Sequence, residues 1–230
     1  EIARGLLNKA IELDDNLIIA KNLLGTTYRE IGDYDKAMEV YTPALKQAET
    51  LGDKRGIGFS LTNIGSVYYY KGDYDKALDY YSRSLAIAEE LGNKSGMGQN
   101  LNNIGNVHHD KGDYEKALDY LERSLTICEE LGDKCGMGHS LDSIGNVHTN
   151  KGDYDKAEEY LEKSFALQKE IGFKGIELET TTHLYLVYKN LGKEYDEKEI
   201  HALIQDTENI ECDLNYAIYQ LLEDTTYLET

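Results

Sequence analysis

Leu61, Ile64, Gly65 and Tyr68 recur at the i, i+3, i+4, i+7 spacing that puts side chains on one face of a helix. A second run, Ala77, Tyr81, Ser84, Leu85 and Ala88, again shares one helical face. Between the two runs lies Lys71-Gly72, and glycine tolerates the left-handed backbone that closes a helix. Asp73 follows and offers a carboxylate to cap the next helix. Leu91-Gly92 and Asn93 repeat that punctuation, so residues 61–100 predict two antiparallel helices joined by tight turns.

The same text recurs with a fixed period. "NLLGTTYREIGDYDKAMEV" starts at Asn22, "TNIGSVYYYKGDYDKALDY" at Thr62, "NNIGNVHHDKGDYEKALDY" at Asn102 and "DSIGNVHTNKGDYDKAEEY" at Asp142, each start 40 residues after the last. A period of this length predicts a stack of identical helix pairs. The unvaried positions are small or bulky apolar residues that suit close helix packing. Gly25, Gly65, Gly105 and Gly145 hold one position, and Ala37, Ala77, Ala117 and Ala157 another. Tyr34, Tyr74, Tyr114 and Tyr154 recur at the turn, and Tyr41, Tyr81, Leu121 and Leu161 one step further on. With a single proline, Pro43, and little β-branched alternation, the chain reads as all-α.

Leu24, Gly25, Tyr28, Gly32, Tyr34, Ala37, Tyr41 and Ala44 together resemble the tetratricopeptide repeat, over about residues 1–192. That family's usual period is about 34 with a proline near the repeat end. Here "LGDKRG", "LGNKSG", "LGDKCG" and "IGFKG" stand in that place, so each helix is longer. The longer repeat resembles the branch that includes partner-of-inscuteable-type scaffolds and, more distantly, kinesin light chains. The resemblance implies an all-α, right-handed superhelical solenoid of antiparallel helix pairs. Residues 1–20 read as the second helix of a truncated, ordinary-length repeat, and residues 21–180 as four long repeats. Residues 181–230 read as a degenerate repeat with acidic capping helices, where Leu214, Ala217, Ile218 and Leu221 share one face.

The resemblance also implies a concave groove lined by the first helix of each pair. Its ligand-facing positions fall at Asn22, Thr26, Arg29 and Glu30 in the first repeat, and at Thr62, Ser66, Tyr69 and Tyr70 in the second. The third repeat supplies Asn102, Asn106, His109 and Asp110, and the fourth Asp142, Asn146, Thr149 and Asn150. Most of these side chains both donate and accept hydrogen bonds, which suits an extended peptide main chain. Tyr69, Tyr70 and His109 suit anchoring contacts. The functional expectation is a non-enzymatic scaffold that binds a protein or peptide. A self-association or spacer module and a peptide-gated sensor are the alternatives. Family members that clamp a C-terminal carboxylate use groove cations, and Asn22, Thr62, Asn102 and Asp142 stand at those positions here.

Charge and chemistry narrow this further. The chain carries 43 acidic and 24 basic residues, a formal charge of −19, which argues against nucleic acid and anionic membranes as partners. Most acids fall on the second helices and turns, and the acidic end after residue 190 suits a basic partner. Cys128, Cys135 and Cys212 have no pairing pattern, and Cys128 and Cys135 stand where another repeat has Ala88 and Ser95. This suits a reducing, cytoplasmic setting. His108 and His148 stand where other copies have Tyr28 and Tyr68, a position between helices. Cys135 and His139 share a helical spacing but lack a second ligand pair. The Gly56-x-Gly58, Gly96-x-Gly98 and Gly136-x-Gly138 pairs follow no strand and precede no Lys-Ser/Thr, so they read as packing glycines. No cofactor is expected.

Overall fold

The structure is a computed structural model. It describes residues 2–14, 17–172, 174–205, 214, 217, 218, 221 and 222, and for residues 174–177 the backbone alone. The described residues form eleven α-helices and no strands, as the pattern predicts. They fall into two compact units, residues 1–112 and 113–230.

The first unit holds α1 (Ile2–Leu13), α2 (Ile18–Glu30), α3 (Tyr34–Leu51), α4 (Lys54–Tyr70), α5 (Tyr74–Glu90) and α6 (Lys94–Asp110). The second holds α7 (Tyr114–Leu131), α8 (Lys134–Lys151), α9 (Tyr154–Ile171), α10 (Lys174–Leu191) and α11 (Glu197–Gln205). Within each unit, helices adjacent in sequence pack on one another. The entering helix ends at Leu13 and α2 already begins at Ile18, ahead of the expected boundary at residue 20. Of the expected C-terminal cap, Ile218 and Leu221 are buried, while Cys212 lies outside the described residues.

The turns work as the sequence implies. Gly72 has φ 75°, and glycines at the same beat, from Gly32 to Gly192, are all left-handed. Asp73 accepts from the backbone N–H of Lys76 at 3.4 Å, and Asn93 from that of Gly96 at 3.2 Å. Asp53 and Asp133 cap α4 and α8 in the same way. Asp113 and Asp153, at the position of Asp73 in later repeats, make no side-chain cap bond.

The packing glycines sit against the bulky residues that follow them. A Cβ on Gly25 would lie 2.4 Å from the Tyr41 ring, one on Gly65 2.8 Å from Tyr81, and one on Gly145 2.6 Å from Leu161. Around these close approaches lie the cores: Ala37, Tyr41, Ile64 and Val67 in the first unit, and Ala117, Leu121, Ile144 and Val147 in the second. Of the Gly-x-Gly pairs, Gly136 and Gly138 are close-packed as well, whereas Gly58 makes only ordinary contacts. A Cβ on Gly136 would meet the Cys128 sulfur at 2.6 Å, and one on Gly138 the Gln168 amide at 2.7 Å. Cys128 is buried packing filler and Cys135 is exposed. His148 is buried and stacks on Tyr160, 5.7 Å between centroids, just as Tyr68 stacks on Tyr80 at 5.4 Å.

Candidate functional site

The last turns of α2, α4 and α6 place one candidate residue beside the next. The Arg29 guanidinium lies over the Tyr70 ring at 5.7 Å, a cation–π contact. Tyr70 meets Tyr69 edge-on at 5.3 Å and stacks on Tyr34 at 6.2 Å. Burial and then the Asp110 carboxylate, which accepts the Tyr69 hydroxyl, push the Tyr69 phenol far above its ordinary value. Asp110 Oδ1 lies 3.1 Å from His109 Nδ1. Arg29, Tyr70, Tyr69, Asp110 and His109 therefore make one continuous row across three first helices. Tyr70 is 46% exposed, so its ring is available to a partner.

The candidates one and two turns earlier behave differently. Asn22 is wholly buried, and its amide donates to Ser60 Oγ and to the Ile18 carbonyl, both at 3.0 Å. Its Oδ1 accepts from Asn63 Nδ2 at 3.3 Å. Thr62, also buried, bonds Ser84 Oγ at 2.8 Å and donates to Asn100 Oδ1 at 3.1 Å. These two side chains therefore pair inside the helix stack rather than facing a ligand, because a buried polar atom left without a partner is costly. Thr26 and Ser66 are half-buried and tied to the Tyr41 and Tyr81 hydroxyls, each at 3.1 Å. Asn102 and Asn106 are half-buried on α6.

Sequence reasoning missed the row one turn before Asn22 and Thr62. Ile19 is 70% and Phe59 40% exposed there, and Gln99 follows in the third repeat. They border a cavity of about 480 Å³ whose wall also includes Ile87, Leu91 and Asn100. The signal was present, because two large apolar residues occupy a position that carries Gln99 and His139 in later copies.

In the second unit, Asp142 is buried on α8, facing His183 of α10. Asn146 Nδ2 lies 3.0 Å from both Asp142 Oδ2 and His183 Nδ1. Asp142, like Asn22 and Thr62, thus contacts a neighbouring helix. Burial disfavours the charged His183 imidazole, yet the Asp142 carboxylate outweighs it and raises the group from 6.5 to about 8. Thr149 is half-buried and bonds the Gly145 carbonyl, while Asn150 is exposed.

Antiparallel helix pairs repeated in register, with variable polar and aromatic residues along the first helices, define a helical repeat protein. The tetratricopeptide repeat pattern matches residues 16–90 and 96–170, more than half of the chain, and the chain belongs to that family. No curated protein matches it in sequence. Among solved structures it is similar to BtubC from P. vanneervenii, at 20% identity and a TM-score of 0.68, over 89% of this chain and 85% of that one. It is also similar to a Rap protein complexed with Competence and Sporulation Factor, at 20% identity and a TM-score of 0.73, over 97% of this chain and 60% of that one. A third is a STAND signal-transduction ATPase with a tetratricopeptide repeat sensor from Pyrococcus horikoshii, at 20% identity and a TM-score of 0.68. Its match covers 99% of this chain and 35% of that one. These likenesses show the fold. No helix among the described residues is long and apolar enough to cross a membrane.

Proposed function

We propose that the chain is a non-enzymatic scaffold that captures a protein or peptide segment on the first-helix face of α2, α4 and α6. The observation that carries this reading is the row Arg29–Tyr70–Tyr69–Asp110–His109, with an exposed aromatic ring at its centre. Aromatic and Arg anchors in such rows supply most of the binding energy at protein interfaces. Asn106 and Asn102, on α6, supply hydrogen-bonding groups for the main chain of an extended segment. The acidic surface favours a basic segment and speeds its encounter. The 40-residue period supports grouping the chain with long-repeat scaffolds of the partner-of-inscuteable type. The Rap neighbour was crystallised in complex with Competence and Sporulation Factor, which supports a ligand-binding reading of this fold.

A displayed random-peptide library, selected on the chain, tests the reading. The parent chain enriches a basic sequence family, and Tyr70→Ala combined with Asn106→Ala weakens the selected peptide about 10- to 100-fold with unchanged melting. Equal affinity of parent and variant, or no enrichment at all, overturns it.

One observation favours a second reading, self-association. Helix α1 buries none of its residues and leaves Ile2 84%, Leu6 66% and Leu13 82% exposed. Sedimentation that shows concentration-dependent dimers, abolished by Leu6→Asp, supports that reading, and a strict monomer removes it.

A further inference from the structure

Asp142 and Asn146 lie one helical turn apart on α8, and Glu179 and His183 at the same spacing on α10. One ligand atom each from Asp142, Glu179 and His183 lie within 4.8 Å of one another. With Asp142 ionised, the hydrogen atoms available to this cluster do not satisfy it. His183 Nδ1 is 3.2 Å from Asp142 Oδ2 and 3.0 Å from Asn146 Nδ2, which is itself 3.0 Å from Asp142 Oδ2. With a proton on Nδ1, the imidazole donates to Asp142 but meets the donor amide of Asn146. Without it, the bare nitrogen accepts from Asn146 but turns its lone pair on the carboxylate. Rotating the amide by a half turn puts its oxygen against the carboxylate instead. With Asp142 ionised and the imidazole as oriented, every arrangement leaves one mismatched pair.

A second observation concerns the other carboxylate oxygen. Asp142 is 8% exposed, and its Oδ1 is buried with no hydrogen-bond partner among the described residues. A buried carboxylate oxygen in that condition is costly unless a donor group or a cation reaches it, and a cation does so while also joining the other two side chains.

We propose that Asp142, Glu179 and His183 form a binding site for a divalent transition-metal ion, with zinc as the best fit. Ligand atoms on a tetrahedral zinc at about 2.0–2.1 Å stand about 3.3 Å apart. The His183 Nδ1 to Asp142 Oδ2 separation of 3.2 Å already has that value. Two carboxylates with one imidazole suit zinc better than magnesium or calcium, which favour oxygen alone. With the ion between Nδ1 and the carboxylate, their lone pairs no longer oppose each other. The Asn146 amide then donates to Asp142 and holds it in place. Water completes the coordination, since Glu179 stands at the exposed edge.

The repeats show what the same scaffold does without these ligands. Asn22 and Asn63 occupy the positions of Asp142 and His183 three repeats earlier, and make a neutral amide pair at 3.3 Å. The position of Glu179 carries Phe59, Gln99 and His139 in earlier copies. The double variant Asp142→Asn/His183→Asn therefore installs a pair that this fold already accommodates. Glu179→Gln installs the residue of the third repeat.

The test is calorimetric titration of the metal-stripped 230-residue chain with zinc, repeated with cobalt as a spectroscopic probe. The parent takes up one zinc ion, and its cobalt form shows a visible band without thiolate charge transfer. The double variant keeps its helicity and weakens zinc by at least about 100-fold. Glu179→Gln, on an exposed helix edge, weakens it as well, while Cys135→Ser/Cys212→Ser binds like the parent. Absence of uptake by the parent overturns the site. So does parent-like binding by both ligand variants, or loss of binding only when the cysteines are changed.

Discussion

A single hydrogen-to-methyl change separates two kinds of glycine in this chain. At Gly65 an added Cβ would sit 2.8 Å from the buried Tyr81 ring, a distance that forces the helices apart. At Gly58 the nearest atom is Ile87 Cγ2 at 3.4 Å, an ordinary contact. Gly65→Ala is therefore expected to cost about 1–3 kcal/mol by overpacking. Gly58→Ala is expected to be neutral or to gain up to about 1 kcal/mol from helix propensity. Urea unfolding of the two variants checks this, and equal midpoints would contradict the packing geometry. A second residue sets a pH response. Burial holds the His148 imidazole below its ordinary 6.5, with Asp153 opposing and Lys156 and Lys151 adding to the depression. A neutral buried His contributes stability that is present above the unfolded value of 6.5 and is lost as pH falls through the lower folded value. His148→Tyr, the residue found at Tyr68 over the same stacked neighbour, should flatten the fall in melting temperature between about pH 7 and 5.5. An unchanged difference between parent and variant across that range would refute the assignment. These packing residues were legible in advance because four copies repeat them while their neighbours change. The candidate binding residues were less so, because polarity alone does not say which way a side chain faces. Asn22 and Thr62 look like ligand contacts until Ser60 and Asn100, on the next first helix in each case, are seen to be their partners.

At the scale of the helix, the same residue type at the start does not give the same capping. Asp53 accepts from Gly56 N–H at 3.0 Å at the start of a first helix, whereas Asp113, at the start of the second helix α7, makes no side-chain cap bond. Asp53→Ala is expected to cost about 0.5–2 kcal/mol and Asp113→Ala less, as thermal melts of the two will show. A reversed order would mean that the cap bond of α4 is not what anchors its first turn. Helix ends were read correctly from Gly and Asp at Gly72-Asp73 and at Gly92-Asn93. The start of α2 was not, since no capping side chain bonds there and Leu17 precedes it. The exposed apolar pair Ile19 and Phe59 escaped notice for a related reason. It lies a turn outside the positions that the family resemblance marks, although its apolar character against Gln99 and His139 could have drawn attention to it.

At the scale of the whole chain, two rhythms coexist. Left-handed glycines fall every 20 residues from Gly32 to Gly192, but the packing glycine and its bulky partner return only every 40. This makes the gene editable in one unit of length and not in another. Excision of residues 41–80 joins Val40 to Tyr81, so that Gly25 meets a tyrosine as before and the shortened array closes on itself without a seam. Excision of residues 41–60 preserves the glycine beat but joins Val40 to Leu61, splicing a second helix onto a first. The longer deletion should melt in one cooperative transition and the shorter should not, which circular dichroism will decide. Unequal recombination between such similar copies can therefore lengthen or shorten the array by whole helix pairs, and selection meets folded products at each step. The row from Arg29 to His109 and the acidic–histidine cluster ride on that lattice as replaceable letters, so their chemistry can diversify while the spacing that folds the chain stays untouched.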